Sequence, residues 1–209
     1  MPTFLTDGGP VLWLILIASA VALSVFIERL IHLHRAQINS TEFLNGVRNV
    51  LKRDNVVEAI SICEATHGPV ARIVKTAILN RDHGRERVRE AIEEAGLAEV
   101  PRLEDKLNLL ATIAQIAPLL GLLGTIVGFM DIFGKLEAAG LHTQINQLSH
   151  GVWRALICTA AGLAVAVPCY AAYNYLVSRI NTLVLDLERA ATEIVNLVTD
   201  PNSGNGKPK

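Results

Sequence analysis

The sequence is poor in charge, in aromatic side chains and in cysteine. Only 19% of its 209 residues are charged and 5% are aromatic, whereas soluble domains carry about 25% charge. The formal net charge is −1, so no bulk electrostatic attraction to nucleic acid is expected. Three cysteines, Cys63, Cys158 and Cys169, form no CxxC pair and no cluster with histidine. This favours small packing residues over redox centres or metal ligands.

Patterns of catalytic residues are also missing. The chain has no HExxH motif, no pair of acids within an apolar run and no Ser/His constellation, so an intramembrane enzyme finds no support. No stretch reads as a β-strand, and no internal repeat is evident. We therefore expect no catalytic residue, no metal and no cofactor.

Three long runs without charge dominate what is present. They cover residues 8–27, 107–130 and 155–178. At about 1.5 Å per residue each gives roughly 30 to 36 Å of helix, which matches the hydrocarbon core of a bilayer. The sequence therefore predicts an all-α membrane protein with three transmembrane helices, at 11–31, 107–134 and 152–178.

The first run is predicted to be an uncleaved anchor. Residues 1–10 contain no Lys or Arg and do contain Asp7, so the basic region of a signal peptide is missing. The run ends in ERLIHLHR and not in a small-residue cleavage site.

Basic residues near the ends of the spans predict the topology. The N-terminus, 1–10, and a short loop, 135–151, are predicted to be periplasmic. The middle segment, 32–106, and the C-terminal segment, 179–209, are predicted to be cytoplasmic. The cytoplasmic side holds Arg29, Arg35, Arg102, Lys106, Arg179 and Arg189, whereas the outer side holds Lys135 and Arg154.

The middle segment reads as amphipathic helices. Asp54 is a predicted N-cap, and Pro69 suits the first turn of a following helix. A bend is predicted near Pro101 before the second span. The second and third spans are predicted to extend into the cytoplasm, and the polar tail DPNSGNGKPK is predicted to be disordered.

The second run contains an unusual stretch, APLLGLLGTIVGFMDIF. Its glycines, Gly121, Gly124 and Gly128, lie along one stripe of a helix, and the last two form a GxxxG pattern. Such small residues let helix backbones approach closely in lipid. Thr125 emerges beside this stripe, and Pro118 predicts a kink.

The third run, CTAAGLAVAVPCYAAYNY, repeats this design. Thr159 and Gly162 are three residues apart, and Pro168 predicts a second kink. Two interpretations of Thr125 and Thr159 stay open. Each hydroxyl can bond to a carbonyl of its own helix, or the two can line a pathway through the bundle. No Asp, Glu or His lies inside the apolar runs, so a charge carrier would have to come from a partner.

Taken together, these motifs resemble the MotA/TolQ/ExbB proton-channel family, closest to its ExbB-like branch. GGPVLWLILIASAVALSVFIERL is similar to the first span of the family, and CEATHGPVARIVKTAI to its cytoplasmic helices. The most specific part is APLLGLLGTIVGFMDIF followed by GVWRALICTAAGLAVAVPCYAAYN. The resemblance covers nearly the whole chain.

The resemblance implies a function and partners. ExbB-like relatives form homopentamers in the bacterial inner membrane, around the single transmembrane helices of an ExbD-like partner that supplies an aspartate. Proton passage drives motion that reaches a TonB-like protein and energises uptake across the outer membrane. The alternatives are a TolQ-like motor subunit for envelope integrity and division, or a passive membrane scaffold.

The resemblance also implies roles for single residues. Thr125 and Thr159 match the two pore-facing threonines, with Gly121, Gly124, Gly128 and Gly162 packing the helices around the pore. One departure concerns Arg154 in GVWRAL, where some relatives carry glutamate. Arg154 and Trp153 are expected to anchor the outer interface. Alternatively, Arg154 is a pore-mouth guanidinium that pairs with an acid of the partner.

Overall fold

The computed structural model describes residues 9–139 and 145–199 of the chain, and every regular element in these ranges is helical. The predicted all-α class is therefore confirmed. The helices are α1 (Gly9–Ala36), α2 (Ser40–Leu51), α3 (Val56–Ala65), α4 (Pro69–Leu79), a 3-10 turn (Arg81–His83), α5 (Arg85–Glu104), α6 (Leu107–Ala139) and α7 (Ile145–Thr199).

Three helical segments of the described chain are long and apolar enough to cross a membrane by length and composition, and they contain α1, α6 and α7. The three predicted spans fall in these same helices. Large apolar side chains on all three are exposed on the isolated chain, among them Ile17, Leu119 and Val167. Such exposure is expected where lipid or other membrane helices cover the surface.

The chain divides into two units. The first, here the membrane unit, contains α1 up to Arg29 together with Lys106–Leu176. The second contains Leu30–Asp105 together with the residues from Val177 on.

The break between α5 and α6 lies at Asp105 and Lys106 and not at Pro101, because α5 runs through Pro101 to Glu104. Lys106 has a φ of 60°, which lies outside the right-handed helical region, so the helix has to end there. Pro101 removes only one backbone hydrogen bond, and α5 continues past it.

Side-chain caps fix the helix starts of the second unit. Asn55 caps α3, since its side-chain oxygen accepts from the backbone N–H of Glu58 at 3.3 Å, and its amide donates to the Glu58 carboxylate at 2.8 Å. Asn39 and Glu42 repeat the arrangement on α2. The predicted cap at Asp54 is wrong by one residue, because Asp54 has a φ of 57° and precedes the cap. The start of α4 at Pro69 is confirmed.

The second unit has its own core and ion pairs. Arg48 pairs with Glu193, which joins α2 to the C-terminal part of α7. Glu99, only 4% exposed, lies between Arg72 at 2.8 Å and Arg102 at 3.0 Å. The core side chains come from α2 to α5 and α7, and include Val47, Ala59, Cys63, Ile73, Val74, Ile78, Val88, Leu187 and Ile194.

The predicted loop 135–151 is helical over most of its length. Helix α6 runs to Ala139 and α7 begins at Ile145. Lys135, Leu136 and Glu137 are all good helix formers, so the helix continues past the apolar run. The remainder of this loop, at 140–144, residues 1–8 of the predicted N-terminal segment, and the predicted disordered tail from 200 on lie outside the described residues.

Candidate functional site

Glycines bring the backbones of α6 and α7 into direct contact. A Cβ atom on Gly121 would lie 3.0 Å from the carbonyl oxygen of Cys158 and 3.1 Å from the Cα of Thr159. On the opposite helix, a Cβ atom on Gly162 would lie 2.5 Å from the carbonyl oxygen of Ala117. A side chain at either position would therefore force the two helices apart. We call this α6–α7 contact the glycine seam.

The seam continues along both helices. A Cβ atom on Gly128 would lie 2.9 Å from the Cβ of Ala155, and one on Gly124 would lie 3.0 Å from the Sγ of Cys158. All four glycines singled out in the sequence thus lie in the seam. A fifth, Gly151, packs against Ile132 in the same way and was missed, because it precedes the uncharged run in which the glycines were sought.

Thr159 bonds across the glycine seam. Its hydroxyl donates a hydrogen bond to the carbonyl oxygen of Gly121 on α6, at 3.1 Å. The bond is possible because Gly121 has no side chain to hold the helices apart. The hypothesis that this threonine bonds to its own helix is wrong.

Thr125 behaves differently. Its hydroxyl donates to the carbonyl oxygen of Leu122, at 2.5 Å, within α6. Thr125 therefore makes the expected bond within its own helix, whereas its place in a pathway stays a prediction. The two acceptors, Gly121 and Leu122, are consecutive residues, so both hydroxyls attach to one turn of α6.

Both prolines lie inside their helices. Pro118 falls within α6 and Pro168 within α7, and each helix continues past its proline. Pro118 follows Ala117, whose carbonyl faces Gly162. Proline lacks a backbone N–H, so Pro118 leaves the carbonyl of Ala114, four residues earlier, without its helical hydrogen bond.

Charged residues meet in a groove at the far end of the membrane unit from Lys106. The groove has a volume of 370 Å³ and is lined by Gly9, Pro10, Val11, Gly124, Val127, Gly128, Asp131, Lys135, Gly151, Arg154, Ala155 and Cys158. Asp131 and Lys135 form an ion pair at 2.5 Å within α6. Arg154 lies on the groove, whereas its neighbour Trp153 is 57% exposed.

Sequence reasoning did not single out Asp131 and Lys135 as site residues. Their i,i+4 spacing at the end of an uncharged run was the available signal, because oppositely charged residues at that spacing lie on one face of a helix. Their proximity to Arg154 had no such signal.

No acid or base lies deep in either of the seam helices. Residues 107–130 of α6 and 155–178 of α7 contain no Asp, Glu, His, Lys or Arg. The seam therefore offers hydroxyls and backbone carbonyls but no carboxyl group. Any titrating carboxylate at that depth has to come from another chain.

Comparison with known proteins agrees with this architecture. Residues 65–189 match the MotA/TolQ/ExbB proton channel family. A biopolymer transport protein ExbB homologue of Methanothermobacter thermautotrophicus is 26% identical over 87% of this chain and 64% of its own length. The biopolymer transport protein ExbB of Neisseria gonorrhoeae is 27% identical over 94% of this chain and 96% of its own length.

A third relative is the Tol-Pal system protein TolQ of Haemophilus influenzae. It is 36% identical over 48% of this chain and 43% of its own length. The chain thus spans less than two thirds of the first and third of these relatives, but nearly all of the second. The family match covers more than half of the chain, including the whole glycine seam. This multi-pass membrane protein belongs to the MotA/TolQ/ExbB proton channel family.

Proposed function

We propose that the chain is an ExbB-like subunit of a proton-driven motor in the bacterial inner membrane. With an ExbD-like single-span partner, it would use the proton motive force to energise TonB-dependent transport across the outer membrane. The family match and the ExbB relatives support this proposal. Transport then depends on a complex, since the chain by itself lacks a titrating group in its seam.

The bond between Thr159 and Gly121 is the observation that carries the proposal. It puts a hydroxyl at the contact of two spans that hold no charge over 24 residues each. Polar groups at membrane depth usually face the bundle interior or a water-filled space. The partner's aspartate would pass this turn of α6, where Thr125 is also attached.

The direction of both hydrogen bonds suggests how the site acts. Each threonine gives its only hydroxyl proton to a backbone carbonyl, so its oxygen is left as an acceptor. An acceptor binds a protonated carboxyl group or water better than it binds a carboxylate. The threonines would therefore favour the neutral form of the partner's aspartate and help it to carry a proton across the apolar level.

Topology and assembly complete the proposal. The excess of Lys and Arg on one side of the spans supports a periplasmic N-terminus and a cytoplasmic C-terminus. A homopentamer would surround the partner's helices, with α6 and α7 of each copy facing them. The exposed apolar side chains of α6, such as Leu119 and Leu122, suit contacts with lipid or with further helices.

A TolQ-like role in envelope integrity and division is the second candidate, supported by the match to TolQ over 48% of the chain. A passive scaffold is a third, since the Thr125 hydroxyl is bonded within its own helix. All three candidates share the fold. The scaffold differs from the two motor subunits in conducting no ions, and the two motor subunits differ in the process that the complex serves.

The test is proton flux through the chain co-expressed with its single-span partner and reconstituted in liposomes. We expect Thr159→Val to abolish most of the flux and Thr125→Val to reduce it, with the complex still assembled. Thr112→Val is the matched control, because that hydroxyl also bonds within α6, to Asn108 at 2.7 Å, but is outside the seam.

Unchanged flux in both seam variants would contradict the role of the hydroxyls. The absence of flux in the unaltered complex would leave only the scaffold. Uptake of a TonB-dependent substrate and resistance to detergents, measured in cells that lack the chain, would distinguish the ExbB-like from the TolQ-like role.

A further inference from the structure

Gln115 is an exposed polar side chain in the uncharged run of α6. Within the described residues its amide has no hydrogen-bond partner. Thr112 and Thr125 of the same run differ from it, because both bond their hydroxyls to carbonyls of α6. The amide of Gln115 is thus free to bond to another chain.

The depth of Gln115 makes such a bond necessary. Lys106 precedes the uncharged run, and Gln115 is nine residues further on, which is about 14 Å of helix at 1.5 Å per residue. A glutamine side chain is too short to reach the end of the run over that length. Polar groups without a hydrogen bond are strongly unfavourable in the hydrocarbon core of a bilayer. The amide therefore requires a polar partner at its own depth.

The neighbouring helix α7 has no polar side chain at this depth. A Cβ atom on Gly162 would contact the carbonyl of Ala117, and α6 and α7 are antiparallel, so the residues that follow Gly162 lie level with Gln115. All residues from 160 to 168 are apolar. A second copy of the chain, related by an axis along the membrane normal, would lie at the same depth and present the same apolar part of α7. This favours a partner of different sequence.

The face of α6 that carries Gln115 has the pattern of a helix-packing surface. Leu119, Leu122 and Ile126 follow at i+4, i+7 and i+11, and each is more than half exposed. Steps of four and three residues put these side chains on one stripe of the helix, which suits packing against a second transmembrane helix. We call these four residues the Gln115 stripe. A polar side chain in such a stripe can fix the register of the two helices.

The Gln115 stripe passes the turn to which both threonines are attached. The carbonyl of Leu122 accepts from Thr125, and the carbonyl before it, that of Gly121, accepts from Thr159. In the proposed motor the partner's aspartate passes this turn, so the helix that carries the aspartate also covers the rest of the stripe. Gln115 precedes Leu122 by seven residues, which is about two turns or 10 Å.

We propose that Gln115 sets the register of the single-span partner through a hydrogen bond to a hydroxyl or amide side chain of its helix. That side chain lies about seven residues from the partner's aspartate, on the side that faces Lys106. The Gln115 amide can both donate and accept, so either kind of side chain suits it. Gln115 is then a positioning residue, which holds the aspartate level with the threonines. The inference rests on the proposed function, because it uses the partner's helix.

Cysteine cross-linking in membranes maps this register. Gln115→Cys is placed in a chain whose three cysteines are replaced by alanine. The chain is co-expressed with partners that carry one cysteine each, at successive positions over three turns on the Lys106 side of the aspartate. We expect disulfide formation to peak at about seven residues from the aspartate. Ile116→Cys is the matched control, because Ile116 is exposed at the same depth on another face of α6, and it should show no such peak.

A second measurement tests the hydrogen bond itself. Energy transfer between the labelled chain and the labelled partner in liposomes gives the affinity of the two. Gln115→Leu should weaken binding about threefold to twentyfold, the range for interhelical hydrogen bonds in membranes. Replacing the polar side chain of the partner by leucine should cause a similar loss. The two changes together should cost little more than either alone, because they remove the same bond.

A cross-linking peak at another position, or none, would overturn the proposal. So would unchanged binding by Gln115→Leu, additive losses in the double variant, or disulfides between two copies of the chain through Gln115→Cys. Proton flux in the same liposomes tests the motor separately. Cross-linking at seven residues without flux would refute the motor and keep the register, whereas flux without that peak would refute the register alone.

Discussion

The hydroxyl of Thr159 donates a hydrogen bond to the carbonyl oxygen of Gly121, 3.1 Å away on the neighbouring helix. The next carbonyl along α6, that of Leu122, accepts from Thr125. A carbonyl inside an α-helix already accepts one backbone hydrogen bond, and its second lone pair serves these hydroxyls. Two consecutive carbonyls of α6 thus accept the hydroxyl protons of Thr159 and Thr125. The absence of a side chain at Gly121 allows α7 to approach closely enough for the bond of Thr159.

Removing the Thr159 hydroxyl should loosen the seam slightly. Interhelical hydrogen bonds in membranes contribute about 0.6 kcal/mol on average and up to about 1.7 kcal/mol. We expect Thr159→Val to lower the thermal stability of the detergent-solubilised protein by this amount and Thr159→Ser to restore it. Thr192→Val is the control, because that hydroxyl bonds within its own helix, to Glu188. Equal stabilities of the Val and Ser variants would contradict a role for the interhelical bond.

A methyl group in the seam should cost more than the loss of a hydroxyl. In Gly162→Ala the new Cβ would lie 2.5 Å from the carbonyl oxygen of Ala117. The nearest atoms around it all belong to the backbone of α6, so no side chain can rotate away to make room. Overpacking of this kind costs about 1 to 3 kcal/mol. We expect a lower melting temperature and less assembled complex on size-exclusion chromatography.

Gly134→Ala is the matched control for this substitution, since a Cβ atom there meets nothing within 4 Å. It lies in the same helix as Gly121 and should be tolerated, or should stabilise slightly because alanine is the better helix former. If Gly162→Ala and Gly134→Ala behave alike, the close approach of α6 and α7 is not required.

The buried carboxylate of Glu99 should make Arg72 important to the second unit. Glu99 is 4% exposed and has Arg72 and Arg102 as ion-pair partners. Arg72→Gln leaves this buried charge with one arginine, which should cost about 1 to 3 kcal/mol in stability.

Arg89→Gln is the control for this ion pair. It breaks an exposed i,i+4 pair with Glu93, which is worth about 0.5 kcal/mol or less. Thermal unfolding followed by circular dichroism would compare the two variants. A loss no larger in Arg72→Gln than in Arg89→Gln would show that the Glu99 cluster contributes little.

Cys63 should resist alkylation until high pH. Burial raises the pKa of its thiol from 9.0 to about 11, an effect that nearby Lys75 opposes. Because the thiolate is the reactive form, iodoacetamide labelling of the Cys158→Ala, Cys169→Ala protein should accelerate through about pH 11 in the folded state and about pH 9 in denaturant.

The same shift has a consequence for stability. A thiol with a raised pKa in the folded state stabilises the fold below pH 9, and this contribution is lost as the pH rises through 11. Cys63→Ala should remove that part of the alkaline destabilisation. Labelling at the same pH in folded and denatured protein would contradict the burial of the thiol.

Much of the fold could be predicted because the bilayer imposes a length. An uncharged run of 20 to 24 residues has few alternatives to a transmembrane helix, so α1, α6 and α7 were evident. Pro69 marked the start of α4 for an equally local reason, its fixed φ. The cap of α3 was placed one residue early, because Asp54 and Asn55 are both good caps and only the backbone conformation separates them.

The sequence by itself thus determined the helical class, the three spans, the absence of a carboxyl group from the seam and the identity of the small residues that form it. Only the tertiary structure decided which carbonyl each threonine uses, and that Asp131, Lys135 and Arg154 share a groove with the start of α1. The reason is physical. Helix periodicity fixes the face on which a residue lies, but the partner of that face depends on how helices distant in the chain pack together.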